Sequence, residues 1–253
     1  MDCTIGGFKM IVGLDRSFRP EWIYKILKIS KPGVKYKDLE LEFFNIIEYK
    51  GLKSKKNVLT IIRRYYLQIV KNNGEEIISD NYLHGLSQKY SFDSLKPLLL
   101  FVLLSKCDIA KFLQFKINLL FRDQEKIEIS ILHKHARKVY GDRKVVSYAT
   151  GYYLTILSYF DVLNKEKHKY SWKNRKLNVP DHILMEMIIL YAGINDLIEI
   201  DVHRLREDIT FSIFNLSNLE SVLVNYNTKQ WIYQKRFDSK KIVLSKIKLM
   251  EVK

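Results

Sequence analysis

The sequence predicts a mainly α-helical protein, with an N-terminal helical bundle over residues 1–140, a winged-helix-like unit over 141–199 and a small α+β tail over 200–253 that ends in a β-hairpin. Three observations carry that expectation. Glycine and proline are scarce, 10 and 4 among 253 residues, against an average of roughly 12% for the pair, so few tight turns are available. Apolar residues recur at a period near 3.6 through most of the chain, the signature of helices with one buried face. Strand-like alternation is confined to 169–178 and 229–249, which leaves too few strands for a sandwich or barrel.

The first helix is expected over 20–29, where Trp22, Ile23, Ile26 and Leu27 share a face and Pro32-Gly33 ends the run. The second, 37–49, aligns Leu39, Phe43, Ile46 and Ile47, with Gly51 as its breaker. A third, 54–71, opens at Ser54 as N-cap and turns Val58, Ile61, Ile62, Tyr65 and Ile69 inward, until Asn72-Asn73-Gly74 stops it. A short helix near 76–90 precedes 93–105, which is apolar nearly all round and fits the buried centre; Pro97 is placed there in a first turn that tolerates it. Helices over 108–121 and 124–140 follow, and then a strong one over 147–163 carrying Tyr148, Gly151, Leu154, Leu157 and Phe160. The alternation in 169–178 reads as a small hairpin turning at Lys173-Asn174. Helix 181–192 starts after Pro180, and a short helix over 216–226 leads to a terminal hairpin turning at Asp238-Ser239.

Lys and Arg number 43 against 28 Asp and Glu, a formal net charge of +15. A field of that sign concentrates polyanions around the protein, nucleic acid first and an anionic membrane surface second. Hydrophobic residues at 47% exclude wholesale disorder. Cys3 and Cys107 can build neither a disulfide framework nor a zinc ribbon, which fits a reducing, cytoplasmic setting. The longest apolar run, 97–104, falls far below the roughly 18 residues that span a bilayer, so no membrane span is expected.

The catalytic inventory is thin. Gly6-Gly7 lacks the strand-loop-helix context of a phosphate loop. His133 and His135, two apart, face different directions on a helix and are expected to be solvated. His84, His168, His182 and His203 have no partner at ligand spacing, so neither a metal nor a cofactor is expected. Glu75-Glu76 is placed at a helix start, and Asp108, Asp123, Asp142 and Asp161 read as caps rather than acid/base pairs. The expectation is binding, not catalysis.

Basic clusters say what is bound. Between residues 50 and 71 stand Lys50, Lys53, Lys55, Lys56, Arg63, Arg64 and Lys71 with no acidic residue, and Tyr66 is expected to stack alongside, with Arg64 turned partly toward the core. A second set, His133, Lys134, Arg137, Lys138, Arg143 and Lys144, leads into the helix expected at 147. Lys165, Lys167, Lys169, Lys173, Arg175 and Lys176 then decorate the small hairpin beside Tyr170 and Trp172, an order that resembles a winged helix. The expected nucleic-acid contacts are Lys53, Lys55, Lys56, Arg63, Arg64, Arg143, Lys144, Lys165, Lys167, Lys173, Arg175 and Lys176. Asn178 aside, the hairpin segment offers few side chains suited to bidentate base reading, so no sequence specificity is inferred, and the expected partner is double-stranded DNA held mainly through phosphates, with structured RNA an alternative. A different class of reading is a protein-interaction scaffold that presents Trp231, Tyr233 and Phe237 as anchors.

Several stretches together resemble one family. Gly51-Leu52-Lys53-Ser54 leads into a helix ending Arg63-Arg64-Tyr65-Tyr66; the apolar 95–104 run precedes Asp108-Ile109-Ala110-Lys111-Phe112-Leu113; and Ser147, Thr150, Leu154, Leu157, Phe160 and Leu163 follow. Over about residues 20–192 these resemble the BrxA family of BREX phage-exclusion systems. The resemblance implies a mainly helical fold with a half similar to the antitermination factor NusB. It also implies DNA binding without known catalysis and service beside other subunits of a bacterial antiviral defence complex.

Overall fold

The computed structural model describes residues 13–236 and 239–244. Cys3, Gly6-Gly7, Phe237, Asp238 and the expected strand beyond residue 244 lie outside the described residues. Three helices open the chain, α1 (Pro20–Ile29), α2 (Tyr36–Ile46) and α3 (Leu52–Tyr65), followed by strands β1 (Ile69–Asn72) and β2 (Glu75–Ile78). Helices α4 (Tyr82–Lys89), α5 (Phe92–Lys106) and α6 (Asp108–Phe121) come next. After β3 (Lys126–Ile127), helices α7 (Ile129–Tyr140) and α8 (Lys144–Tyr159) lead into β4 (Leu163–Glu166), β5 (Lys169–Trp172) and α9 (Asp181–Ile194). The remainder holds β6 (Glu199–Asp201), α10 (Val202–Glu207), a 3-10 turn at Ile209–Phe211, α11 (Leu219–Asn225), β7 (Trp231–Lys235) and β8 (Lys240–Leu244). The protein is mainly helical with small antiparallel sheets, in the orders β1-β2, β3-β5-β4 and β6-β8-β7.

The centre is set by two helices without a polar side. Residues 98–104 of α5 and 183–190 of α9 are all buried, so these helices need cover on every side. α5 packs on α9, α6, α1, α3, α4 and the 3-10 turn, and α11 closes over α9. The resulting core runs from Leu14 to Leu244. Phe101 sits at its middle, 5.0 Å from the ring of Phe211 and 6.5 Å from that of Phe214. Glu186 is the charged exception on α9, 3% exposed. Tyr82 Oη, Tyr90 Oη at 3.0 Å and Lys89 Nζ at 3.5 Å all donate to its carboxylate, which supplies the partners a buried charge requires.

Pro97 departs from expectation. It lies in the second turn of α5 rather than the first, because the helix starts at Phe92 under a cap from Ser91. An internal proline costs about 3 kcal/mol. Burial of the eight apolar side chains of α5, at about 1.5 kcal/mol or more each, outweighs that several-fold.

Elsewhere the expected boundaries move where β-branched residues and turns override helical spacing. The helices expected over 54–71 and 76–90 give way between them to a hairpin, β1–β2, in which Ile69, Val70, Ile77 and Ile78 pair across the strands. Its turn is Asn73-Gly74 with φ of 49° and 81°, the doubly left-handed geometry that an Asn-Gly pair adopts most readily. Glu76 is therefore a strand residue and not a helix start. α3 begins at Leu52 with Gly51 as its N-cap, so Ser54 lies inside the helix and caps nothing. Tyr66 does not stand beside the basic face: it is fully buried and donates to the Leu99 carbonyl at 3.0 Å. β3 occupies the start of the helix expected at 124–140 and pairs with β5, joining residues on both sides of position 140. The tail gains β6 and α10, and β6 adds to the terminal hairpin as a third strand.

Phe101→Ala is expected to lower unfolding stability by about 3–5 kcal/mol, measured by urea denaturation; a loss below about 1 kcal/mol would contradict the tight packing of Phe211 and Phe214 around it.

Candidate nucleic-acid interface

Exposed basic residues run along α7 (Lys134, Arg137 and Lys138), open α8 (Lys144) and decorate the β4–β5 hairpin (Lys165, Lys167 and Lys169). Gly141, Asp142 and Arg143 connect α7 to α8. Gly141 has a φ of 83°, the left-handed region that ends a helix most cheaply at glycine. Arg143 folds back so that Nε and Nη2 donate to the Tyr140 carbonyl at 3.2 and 3.0 Å, satisfying a free helix-end acceptor. Arg137 braces the same corner, bonding Ser147 Oγ at 3.0–3.1 Å and pairing with Asp142 at 3.1 Å. The first turn of α8 has no acidic residue and no side-chain cap. Its N–H groups therefore add to the charge of exposed Lys144.

Helix α8 is held from beneath and open above. Tyr153 is fully buried and donates to Gln114 Oε1 at 2.8 Å, and burial raises its pKa well above the usual phenol value. The opposite face presents Tyr148, 59% exposed, whereas Leu154, Leu157 and Phe160 of the same expected helix are buried. Tyr152 stands next to it, 6.4 Å between ring centres, and receives a hydrogen bond from Arg16 at 3.0 Å.

The hairpin turns at Lys167-His168, not at Lys173-Asn174. Lys167 takes a φ of 54° at the turn, which frees residues 163–166 to form β4 and shifts the hairpin about six positions toward the N-terminus. Lys165 and Lys167 are accordingly on the hairpin, where Lys165 Nζ donates to Thr155 Oγ1 at 2.9 Å. Lys173, Arg175 and Lys176 are not. Lys173 pairs with Asp161 at 2.5 Å, Arg175 lies over Trp172 and donates to the Gln124 carbonyl at 3.0 Å, and Lys176 Nζ donates to the Ser212 carbonyl. Asp161 is not a cap. Lys96 of α5 also pairs with it, and Asn174 Nδ2 donates to its carbonyl at 2.8 Å, so one carboxylate ties the hairpin base to the core.

The α3 cluster is partly spent inside the fold. Lys55 Nζ donates to the Phe44 carbonyl at 2.6 Å, and Arg63 pairs with Glu76 and lies over the Tyr36 ring. The two arginines exchange their expected roles, since Arg64 is exposed while Arg63 is half-buried. Lys53 and Lys56 are exposed. A short path connects this helix to α8: Tyr65 Oη donates to the Gly13 carbonyl at 3.2 Å, and Arg16 reaches Tyr152. Three residues span at most about 11 Å, so the C-terminal end of α3 and the middle of α8 anchor one short strap.

No protein-family model, curated protein or solved structure matches this chain. Among the described residues no group of three or more His, Cys, Asp or Glu side chains is placed to hold a metal ion, and no helix is long and apolar enough to cross a membrane. His133 is not the solvated base expected: its Nε2 is buried without a partner among the described residues, and burial together with nearby Arg137 holds the imidazole below its usual pKa despite a backbone hydrogen bond at Ser147. Sequence reasoning also missed Arg16 and the exposed side of Tyr148, because neither lies in a charge cluster.

Burial opposes ionisation of Asp161, but Lys173 and Lys96 outweigh it and hold the carboxyl below its usual pKa. A lowered folded-state pKa gives stability that is present above the unfolded value, near 3.9, and lost as pH falls through the folded value. Asp161→Asn, which tolerates the local φ of 63°, should lower the thermal midpoint at pH 7, with the gap to the parent closing below about pH 4. Thermal scans across pH 2.5–7 check this, and a gap independent of pH would refute the ion-pair account.

Proposed function

We propose that the chain is a non-catalytic DNA-binding protein that grips duplex DNA as a winged helix, with α8 against the major groove and the β4–β5 turn on the backbone. The observation that carries this reading is the element order α6-β3-α7-α8-β4-β5 with the sheet order β3-β5-β4. Two helices meet at a three-residue, glycine-containing turn, the second with its N-terminus and one face exposed, and a hairpin follows with lysines at its tip. Lys144 and Lys167 are the leading phosphate contacts, Tyr148 offers a ring and hydroxyl to the groove, and Lys53, Lys56 and Arg64 extend the positive surface along α3. On the sequence resemblance, the preceding bundle corresponds to the NusB-like half and the protein serves other subunits of a cytoplasmic phage-exclusion complex.

The scaffold reading is weakened at its anchors. Trp231 is 3% exposed and donates to the Leu223 carbonyl at 3.1 Å, and Tyr233 Oη donates to Glu220 at 3.0 Å, so both are engaged within the fold. Phe237 lies outside the described residues.

With five to eight phosphate contacts, log affinity should fall against log salt at a slope of about −4.5 to −7. Lys144→Glu combined with Lys167→Glu should weaken duplex binding by at least about tenfold and flatten the slope by about 2, since each phosphate-bound lysine contributes about 1. Stability should change by under about 0.5 kcal/mol per exposed site. Fluorescence anisotropy on equal-length DNA and RNA duplexes reads both affinity and preference; a folded double variant with unchanged affinity and slope would place the interface elsewhere, and tighter binding of the RNA duplex would favour the RNA alternative.

A further inference from the structure

A cleft of about 710 Å³ opens at the end of the β4–β5 hairpin farthest from its turn, where α6, α10 and the 3-10 turn converge. Four cations line it, Arg122, Arg175, Lys176 and Arg206, against a single carboxylate, Asp123. None of the four is ion-paired among the described residues. Their crowding carries an electrostatic cost: burial lowers the pKa of Lys176, and the charge of Arg122 lowers it further. Two of the cations are nonetheless fixed, Lys176 by the Ser212 carbonyl and Arg175 by the Gln124 carbonyl. An anion in the cleft relieves the repulsion that the fold maintains.

The cleft also has an aromatic wall. Trp172 Nε1 donates to the Phe121 carbonyl at 3.2 Å, which fixes the ring, and the Arg175 guanidinium stands 5.4 Å from its centre. Stacked aromatic and guanidinium groups are a platform for nucleobases. Asn118 completes the lining, and its carbonyl already accepts from Gln114 at 2.9 Å, leaving its amide hydrogens to donate. The volume is that of a small-ligand site, about 300–1,000 Å³, whereas a duplex presents its phosphates on a convex surface.

We propose that this cleft binds a nucleoside phosphate, with the phosphates on Arg122, Lys176 and Arg206 and the base against the Trp172–Arg175 pair. The site is separate from α8 and the hairpin tip, so it stands or falls independently of the duplex reading. The same chemistry is offered by a free nucleotide and by the 5′-phosphorylated end of a strand.

Calorimetry on the full chain at low salt, with ATP, tripolyphosphate and adenosine as probes, tests it. ATP should bind once per chain, about tenfold more tightly than tripolyphosphate, which lacks a base to stack, while adenosine should bind more weakly than either. Arg122→Glu with Arg206→Glu, both exposed positions, should weaken ATP binding by more than tenfold in a protein whose circular dichroism is unchanged. The Lys144→Glu, Lys167→Glu variant should bind ATP as the parent does. Displacement of ATP by a 5′-phosphorylated dinucleotide would assign the strand end as ligand, and failure to displace would assign the free nucleotide; either supports the site. Equal affinity for ATP and tripolyphosphate, or ATP binding that survives both reversals, overturns it.

Discussion

Two helices that are apolar on every side dominate this architecture. α5 and α9 expose almost nothing along their central turns, and burying such helices is favourable only if other elements surround them completely. That requirement accounts for the otherwise irregular surroundings: α1, α3, α4 and α6 on one helix, α11 on the other, and the 3-10 turn pressed against Phe101. It also explains why Glu186, the charged interruption of α9, gathers two tyrosine hydroxyls and a lysine. A carboxylate at that depth is tolerable only with its acceptor capacity used.

The same core positions the exposed chemistry. α8 belongs to the core on one side through Tyr153 and Gln114 and to the surface on the other through Lys144 and Tyr148. The hairpin that follows is tied to it by Lys165 and Tyr170 around Thr155, and to α5 by Asp161 and Lys96. Helix and hairpin are therefore presented at a fixed mutual angle. Pre-organisation of that kind reduces the ordering cost that any binding event meets.

A net charge of +15 is informative only after internal use is subtracted. Arg63, Lys96, Arg137 and Lys173 neutralise acids within the fold. Lys55 and Lys176 donate to main-chain carbonyls. Among the described residues, cations without an ion pair include Lys53, Lys56 and Arg64 on α3, Lys144 at the start of α8, Lys167 at the hairpin turn and the four that line the cleft at the hairpin base. Unpaired cations in company are a better guide to anion binding than the total.

The sequence by itself determined the mainly helical character, the bounds of α1 and α6, the central place of α5 and the existence of a terminal hairpin, because helical period and unbroken apolar runs are local properties. It also located the basic stretches. Which of their members face a ligand was decided only in three dimensions. The β1–β2 hairpin brought Glu76 to Arg63, a pairing across 13 residues, and the turn at Lys167-His168 separated Lys165 and Lys167 from Lys173, Arg175 and Lys176. Arg122 and Arg206 are 84 positions apart in the chain and share a cleft only because α6 and α10 both pack on the 3-10 turn. Periodicity reports which side of an element is buried; the neighbour that covers or charges the other side is set by long-range packing, which no local pattern encodes.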